Sequence, residues 1–257
     1  MGGRRVIAIR PPTEEARRTW RLVLSLAEDF GADREWSLIG GLMVQLHGFE
    51  HDDDLRPTAD IDLIGGARRA PRMTEEMAEL LVRRGAEVAT PPRSNPELGY
   101  RFGFEGKTIE LLGPDGLRRD PKTVAGLRTF QVAGGTQALR RTRIVLVALD
   151  DGKPVAVRCP DLLGAILIKA RVALKKRARK YLSDRQDLIR LLGYVDDPRA
   201  LAAEATRSEK GWLSEVETTV DFDDAALIEL FPEERLVRAR QALRLLGQAG
   251  LQATPEK

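Results

Sequence analysis

The 257-residue chain holds a single cysteine, Cys159. An internal disulfide is therefore excluded, and so is a metal cluster built on thiolates. Histidine is nearly as scarce. His47 and His51 are the only two. His47 is expected to pack at the end of a short helix. Aromatic residues amount to seven Phe, three Trp and three Tyr, which leaves little material for an aromatic-lined pocket. No apolar run reaches the ~18 residues of a membrane span. The short run VIAI near the N-terminus is too brief for a secretory signal. A cytoplasmic protein is expected. The net charge of +3 is small, so charge distribution says more about partners than charge total. No internal repeat is visible.

What is present suits a globular protein: 42% of residues are hydrophobic and 32% charged. The first part alternates helix and strand signals. PPTEEARRTWRLVLSLAEDFGA reads as a helix capped by Thr13 and stopped at Gly31, with Trp20, Leu22, Val23, Leu26 and Ala27 on one face. EWSLIGG is a short strand ending in glycines, LMVQLHG about two helical turns, and TADIDLI a second strand. TEEMAELLVRRGA is a helix with Thr74 as its expected cap. GYRFGFEGKTIELLGPDG reads as two strands around a tight Glu105-Gly106 turn, and TRIVLVALDDGKPVAVRCP as a hairpin. Past Pro160 the apolar residues recur at helical steps. The expected class is α/β (α+β), a mixed sheet with flanking helices in residues 1–159, followed by an all-helical domain in residues 160–257.

Asp60 and Asp62 lie two apart on an apolar strand, so both point to one face. Adjacent carboxylates repel each other and resist burial. Two readings follow: a solvated edge strand, or a site where a hard cation such as Mg²⁺ offsets the charge. Glu110 in KTIELLG is a third acid within an apolar run, facing either solvent or a cleft. The Gly40-Gly41 pair closes a strand and opens a helix, where free backbone N–H groups favour an anion. Lys169 in GAILIKARVAL has apolar neighbours on nearly every side, so it needs an anionic partner or a cleft. In SDRQDL, Ser183 reads as an N-cap. Asp184 would then belong to the helix start and Asp187 to the next turn.

These residues resemble the nucleotidyltransferase superfamily with the DNA polymerase β-like fold. The matching elements are IGG, the DID of Asp60 to Asp62, and a later acid, Glu110. The layout IGGLMVQLHG followed by RPTADIDL, with Arg56 and Thr58, is similar to the branch that includes AbiEii/MenA-type toxins and lincosamide-type adenylyltransferases. The stretch from Lys169 through Asp184 and Asp187 resembles the AbiEii/MenA-type pattern. Two departures stand out. The third acid is Glu where many members have Asp, and FEHDDDL lengthens the path from Gly41 to Asp60 as a surface loop.

The resemblance implies a Mg²⁺-dependent transfer of a nucleoside monophosphate from a nucleoside triphosphate to an acceptor hydroxyl. Asp60, Asp62 and Glu110 would be metal ligands. Gly40, Gly41, Arg56, Thr58 and Lys169 would bind the nucleotide, and Glu110, Asp184 or Asp187 would serve the acceptor. Arg171, Lys175, Lys176, Arg177, Arg179 and Lys180 form a basic stretch that reads either as a solvated face or as a track for tRNA or other RNA. A toxin-like enzyme of this branch would have an antitoxin protein as partner. A small-molecule nucleotidyltransferase and an inactive nucleotide-binding relative are the competing functions.

Overall fold

Local signals set the first helix. Thr13 accepts a hydrogen bond from the Ala16 N–H at 3.2 Å, and Gly31 at φ 79° ends the helix, as only a residue without Cβ does readily. In the computed structural model, residues 5–53, 56–58, 60–174 and 181–248 are described. The chain divides into two compact units, Met1–Asp161 and Leu162–Lys257.

The first unit is mixed α/β. Its elements are β1 (Val6–Ile9), α1 (Glu14–Phe30), β2 (Trp36–Ile39), α2 (Gly40–Glu50), β3 (Asp60–Gly65), α3 (Met73–Arg83), β4 (Glu87–Val88), β5 (Arg101–Phe104), β6 (Lys107–Pro114), β7 (Gln131–Val132), α4 (Gly135–Arg140), β8 (Thr142–Leu149) and β9 (Val155–Pro160). One sheet runs β2-β3-β6-β5-β4, with β7 added at the end of β6. Within it β3 is antiparallel to β2 and parallel to β6. A second sheet runs β1-β8-β9, with β1 parallel to β8. The VIAI segment, too short to read as a strand from its own pattern, is fixed by this non-local pairing. Trp20, Phe30, Trp36, Leu38, Ile61, Leu63, Phe102 and Ile109 fill the core of this unit.

Three local expectations need correction. Thr74 is not the cap of α3: the helix starts at Met73 without a side-chain cap, and Thr74 is buried against Gly65, where an added Cβ would come within 3.0 Å of the Thr74 Cα. The helix after the glycines is longer than two turns, because it starts at the glycines and runs to Glu50. It thereby absorbs the start of FEHDDDL. Phe49 packs edge-on against Trp20 at 6.0 Å, and Glu50 pairs with Arg143 at 2.5 Å. Those tertiary partners convert what reads as loop into helix. Asp54 and Leu55 lie outside the described residues.

The second unit is helical: α5 (Leu162–Ala173), α6 (Tyr181–Gly193), α7 (Pro198–Glu204), α8 (Arg207–Thr219), α9 (Ala225–Ile228) and α10 (Glu233–Gln248). Helix α5 is buried on nearly all sides, which matches its largely apolar sequence. Helix α8 is closed at its start by a capping box between Thr206 and Glu209. Ser183 is not an N-cap, since α6 begins two residues earlier. No helix among the described residues is long and apolar enough to cross a membrane.

Candidate active site

The strand register gathers the sequence-predicted acids of the first unit. Asp62 is the Cα partner of Glu110 across the parallel β3–β6 pair, and Asp60 is the partner of Thr108. Partners in register share a face, and so do Asp60 and Asp62 by strand alternation. Asp60 and Asp62 are half-buried, with fully buried Ile61 between them on the opposite face. Glu110 is 9% exposed. The solvated-edge reading is thereby set aside: β3 is an interior strand, bonded to β2 on one side and β6 on the other.

Gly40 packs on the Asp62 side chain of this strand, and Gly41 on the segment before it. Gly40 has φ +70°, and a Cβ placed there would stand 2.6 Å from Asp62 Cγ and 2.7 Å from Asp62 Cβ. At Gly41 a Cβ would stand 2.9 Å from Thr58 Oγ1 and 3.3 Å from Arg56 Nη2. So Gly40, Gly41, Arg56, Thr58 and Asp62 form one packed cluster. Its loop is tied down from the core: the Trp20 indole N–H donates to Gln45 Oε1 at 3.0 Å, and Gln45 Nε2 donates to the Arg56 carbonyl at 2.8 Å. His47 stands outside the chemistry. It is buried, with Nε2 3.1 Å from the Pro160 carbonyl and Nδ1 3.3 Å from Glu50.

The residues fit a hard divalent cation in one respect. Asp60 and Asp62 present oxygen donors on one face, enough for an ion whose other ligands are substrate phosphate and water. Glu110 is already engaged, however. Arg101 Nε donates to Glu110 Oε1 at 2.9 Å, and Nη2 lies 2.9 Å from the same oxygen as an ion pair. Among the described residues no group of three or more His, Cys, Asp or Glu side chains is gathered closely enough to hold a metal by itself. A cavity of about 370 Å³, lined in part by Glu35, Arg68, Arg69 and Arg140, opens beside Gly66 and Pro114. That is the other end of β3 and β6, one strand length from Asp60, so this cavity is not the candidate site.

In the helical unit Lys169 is 6% exposed and meets both downstream acids. Its Nζ is 3.2 Å from Asp184 and 2.7 Å from Asp187. The anionic partner that its apolar surroundings demand is thus supplied within the unit. Both aspartates are buried, so neither is a solvated helix-start residue. Of the basic stretch, Arg171 is described: its guanidinium lies over the Trp212 ring at 4.7 Å. Lys175, Lys176, Arg177, Arg179 and Lys180 lie outside the described residues.

An antigenic nucleotidyltransferase-like protein from Paracoccidioides brasiliensis matches this structure with a TM-score of 0.50 at 14% identity, over 90% of this chain and 94% of that one. The fold is nucleotidyltransferase-like. Weaker likenesses are to JHP933 from Helicobacter pylori (TM-score 0.48, 14% identity, 92% of this chain and 94% of that one) and to the antibiotic-resistance factor ANT(2″)-Ia (TM-score 0.41, 15% identity, 80% and 98%). No family model matches the sequence, and no curated protein does. The AbiEii/MenA branch therefore rests on the sequence motifs. Within this nucleotidyltransferase-like fold, one residue of the cluster escaped the sequence reading: Arg101. Its signal was present. A two-residue turn at Glu105-Gly106 pairs Phe104 with Lys107, and counting outward pairs Arg101 with Glu110.

Proposed function

We propose that the protein is a nucleotidyltransferase that moves a nucleoside monophosphate from a nucleoside triphosphate to an acceptor hydroxyl and releases pyrophosphate. The observation that carries this reading is the contact of Gly40 with Asp62, beside the Asp62–Glu110 register pair, on a nucleotidyltransferase-like fold. The chemistry needs a place where phosphate oxygens approach backbone closely, next to acids that tolerate a shared cation.

Asp60 and Asp62 would hold Mg²⁺, with Glu110 as the third acid. When bound, the ion offsets charge on the phosphate oxygens. The chain's own groups do the rest. Backbone N–H groups at the start of α2 are aimed at the phosphates. Arg56, packed on Gly41, adds positive charge. The Glu110 carboxylate receives the proton of the attacking hydroxyl, which frees the oxygen for in-line displacement. Lys169 is assigned to a phosphate by the resemblance, with Asp184 and Asp187 as its acidic partners.

The acceptor we favour is RNA, tRNA above all, as in a toxin-like enzyme with an antitoxin partner. The support is the Lys169-to-Asp187 sequence pattern and the basic stretch from Arg171 to Lys180. The test is incubation with each labelled nucleoside triphosphate, Mg²⁺ and total tRNA. Label on RNA is expected, and Asp60→Ala or Asp62→Ala should remove it while the circular dichroism spectrum is kept. Label confined to a small molecule would replace the RNA reading. Undiminished transfer by Asp60→Ala would sink the assignment of the site.

A further inference from the structure

We infer that Arg101 is a resident counter-cation of the acid row, which trades Glu110 for the substrate triphosphate as it binds. The inference rests on the nucleotidyltransferase reading and adds a residue to it. Strand register sets Arg101, Glu110 and Asp62 side by side on β5, β6 and β3, in one lateral line across the sheet. Three neighbouring carboxylates repel one another, and the guanidinium offsets part of that charge. Its grip falls on one oxygen: Nε and Nη2 both meet Glu110 Oε1 at 2.9 Å. Asp60 also acts on it. Burial works against its charge, but the hydrogen bond to Glu110 and the charges of Glu110, Tyr100 and Asp60 hold the guanidinium above its ordinary value.

Arg101 is also built to leave. Its side chain is 52% exposed while that of Glu110 is 11% exposed. The guanidinium rests over the Tyr100 ring, 5.0 Å from the centroid, a contact that tolerates sliding. Its planar fork matches phosphate as well as carboxylate. A triphosphate offers more charge than one carboxylate, so the exchange favours the incoming ligand. Glu110 is then released toward Asp62.

Two bindings test this in opposite directions, with Mn²⁺ followed by electron paramagnetic resonance and inorganic tripolyphosphate in EDTA followed by calorimetry. In Arg101→Gln, nucleotide-free Mn²⁺ should bind about tenfold tighter, the scale of one unit charge removed at a partly exposed site. Tripolyphosphate should bind about tenfold weaker, for loss of a forked charged donor. Adding Glu110→Gln to that variant should return Mn²⁺ affinity to the wild-type level. A merely structural role would weaken both bindings. If Arg101→Gln loses the native circular dichroism spectrum, Arg101→Met, which also removes the charge, carries the test with the same signs. Unchanged or weaker Mn²⁺ binding, a gain that survives Glu110→Gln, or unchanged tripolyphosphate binding would each overturn the exchange. The broader reading fails differently: wild-type protein would then take up no Mn²⁺ even with tripolyphosphate present. Uptake that Asp62→Asn removes keeps that reading, whichever way Arg101 behaves.

Discussion

Gly40 packs directly against the Asp62 side chain: a side-chain carbon at position 40 would overlap the Asp62 carboxylate stem. The Asp62 side chain fills the space that a side chain at position 40 would need. Ile39, immediately before, is the antiparallel partner of Asp62, so the register itself delivers the glycine to the acid.

Gly40→Ala should therefore lose stability and transfer together. Its φ of +70° and the 2.7 Å approach to Asp62 Cβ both oppose a side chain. A strained backbone of this kind costs about 1–3 kcal/mol. Gly41→Ala meets a Thr58 hydroxyl at 2.9 Å, with no positive φ, and should cost less. Urea unfolding of the two variants gives the order, and the transfer assay should show Gly40→Ala far below wild type.

Lys169 and its two aspartates form a buried charge set, with Asp187 only 2% exposed. Removing the lysine leaves two buried acids facing each other. Lys169→Met should then cost about 3–5 kcal/mol in urea unfolding, the usual range for breaking a buried pair. Replacing all three (Lys169→Met with Asp184→Leu and Asp187→Leu) should recover most of that loss, because apolar side chains carry no desolvation penalty. A triple variant weaker than the single would show that these charges organise the unit beyond their own pairing.

Asp115 gives the fold an acid-sensitive contact. Burial pushes its carboxyl up, but the Thr136 and Gly134 N–H donors, at 2.9 and 3.0 Å, outweigh this and hold it below its ordinary 3.8. A depressed carboxylate contributes stability above its unfolded value, and that contribution is lost as pH falls through the folded one. Asp115→Asn should thus melt lower than wild type at pH 7, and the two melting curves should converge as pH drops below about 4. Melting temperature against pH checks it. A constant gap down to pH 2 would mean that the contact is not charge-dependent.

Features that depend on nearest neighbours were legible in the residues. The limits of α1 follow from Thr13 and Gly31, and the β5–β6 hairpin follows from Glu105-Gly106, whose φ values of 49° and 73° suit the twist of paired strands. That same turn carries the Arg101–Glu110 pair, so a count along the hairpin reaches it. Thr74 shows how local reading misleads: a hydroxyl near a helix start invites capping, but Gly65 leaves room for it in the core. Glu50 shows the reverse, a residue with loop neighbours recruited into helix by Arg143, far along the chain.

The sequence by itself determined which residues carry charge into apolar strands and helices, because solvation and strand alternation act within a few positions. It therefore marked Asp60, Asp62, Glu110 and Lys169. Only the tertiary structure decided what each one meets. Parallel pairing of β3 with β6 joins segments separated by more than forty residues and puts Glu110 beside Asp62. Packing of α5 on α6 hands Lys169 two aspartates. Such pairings are chosen by the global burial of apolar faces, and no short window of sequence contains that sum.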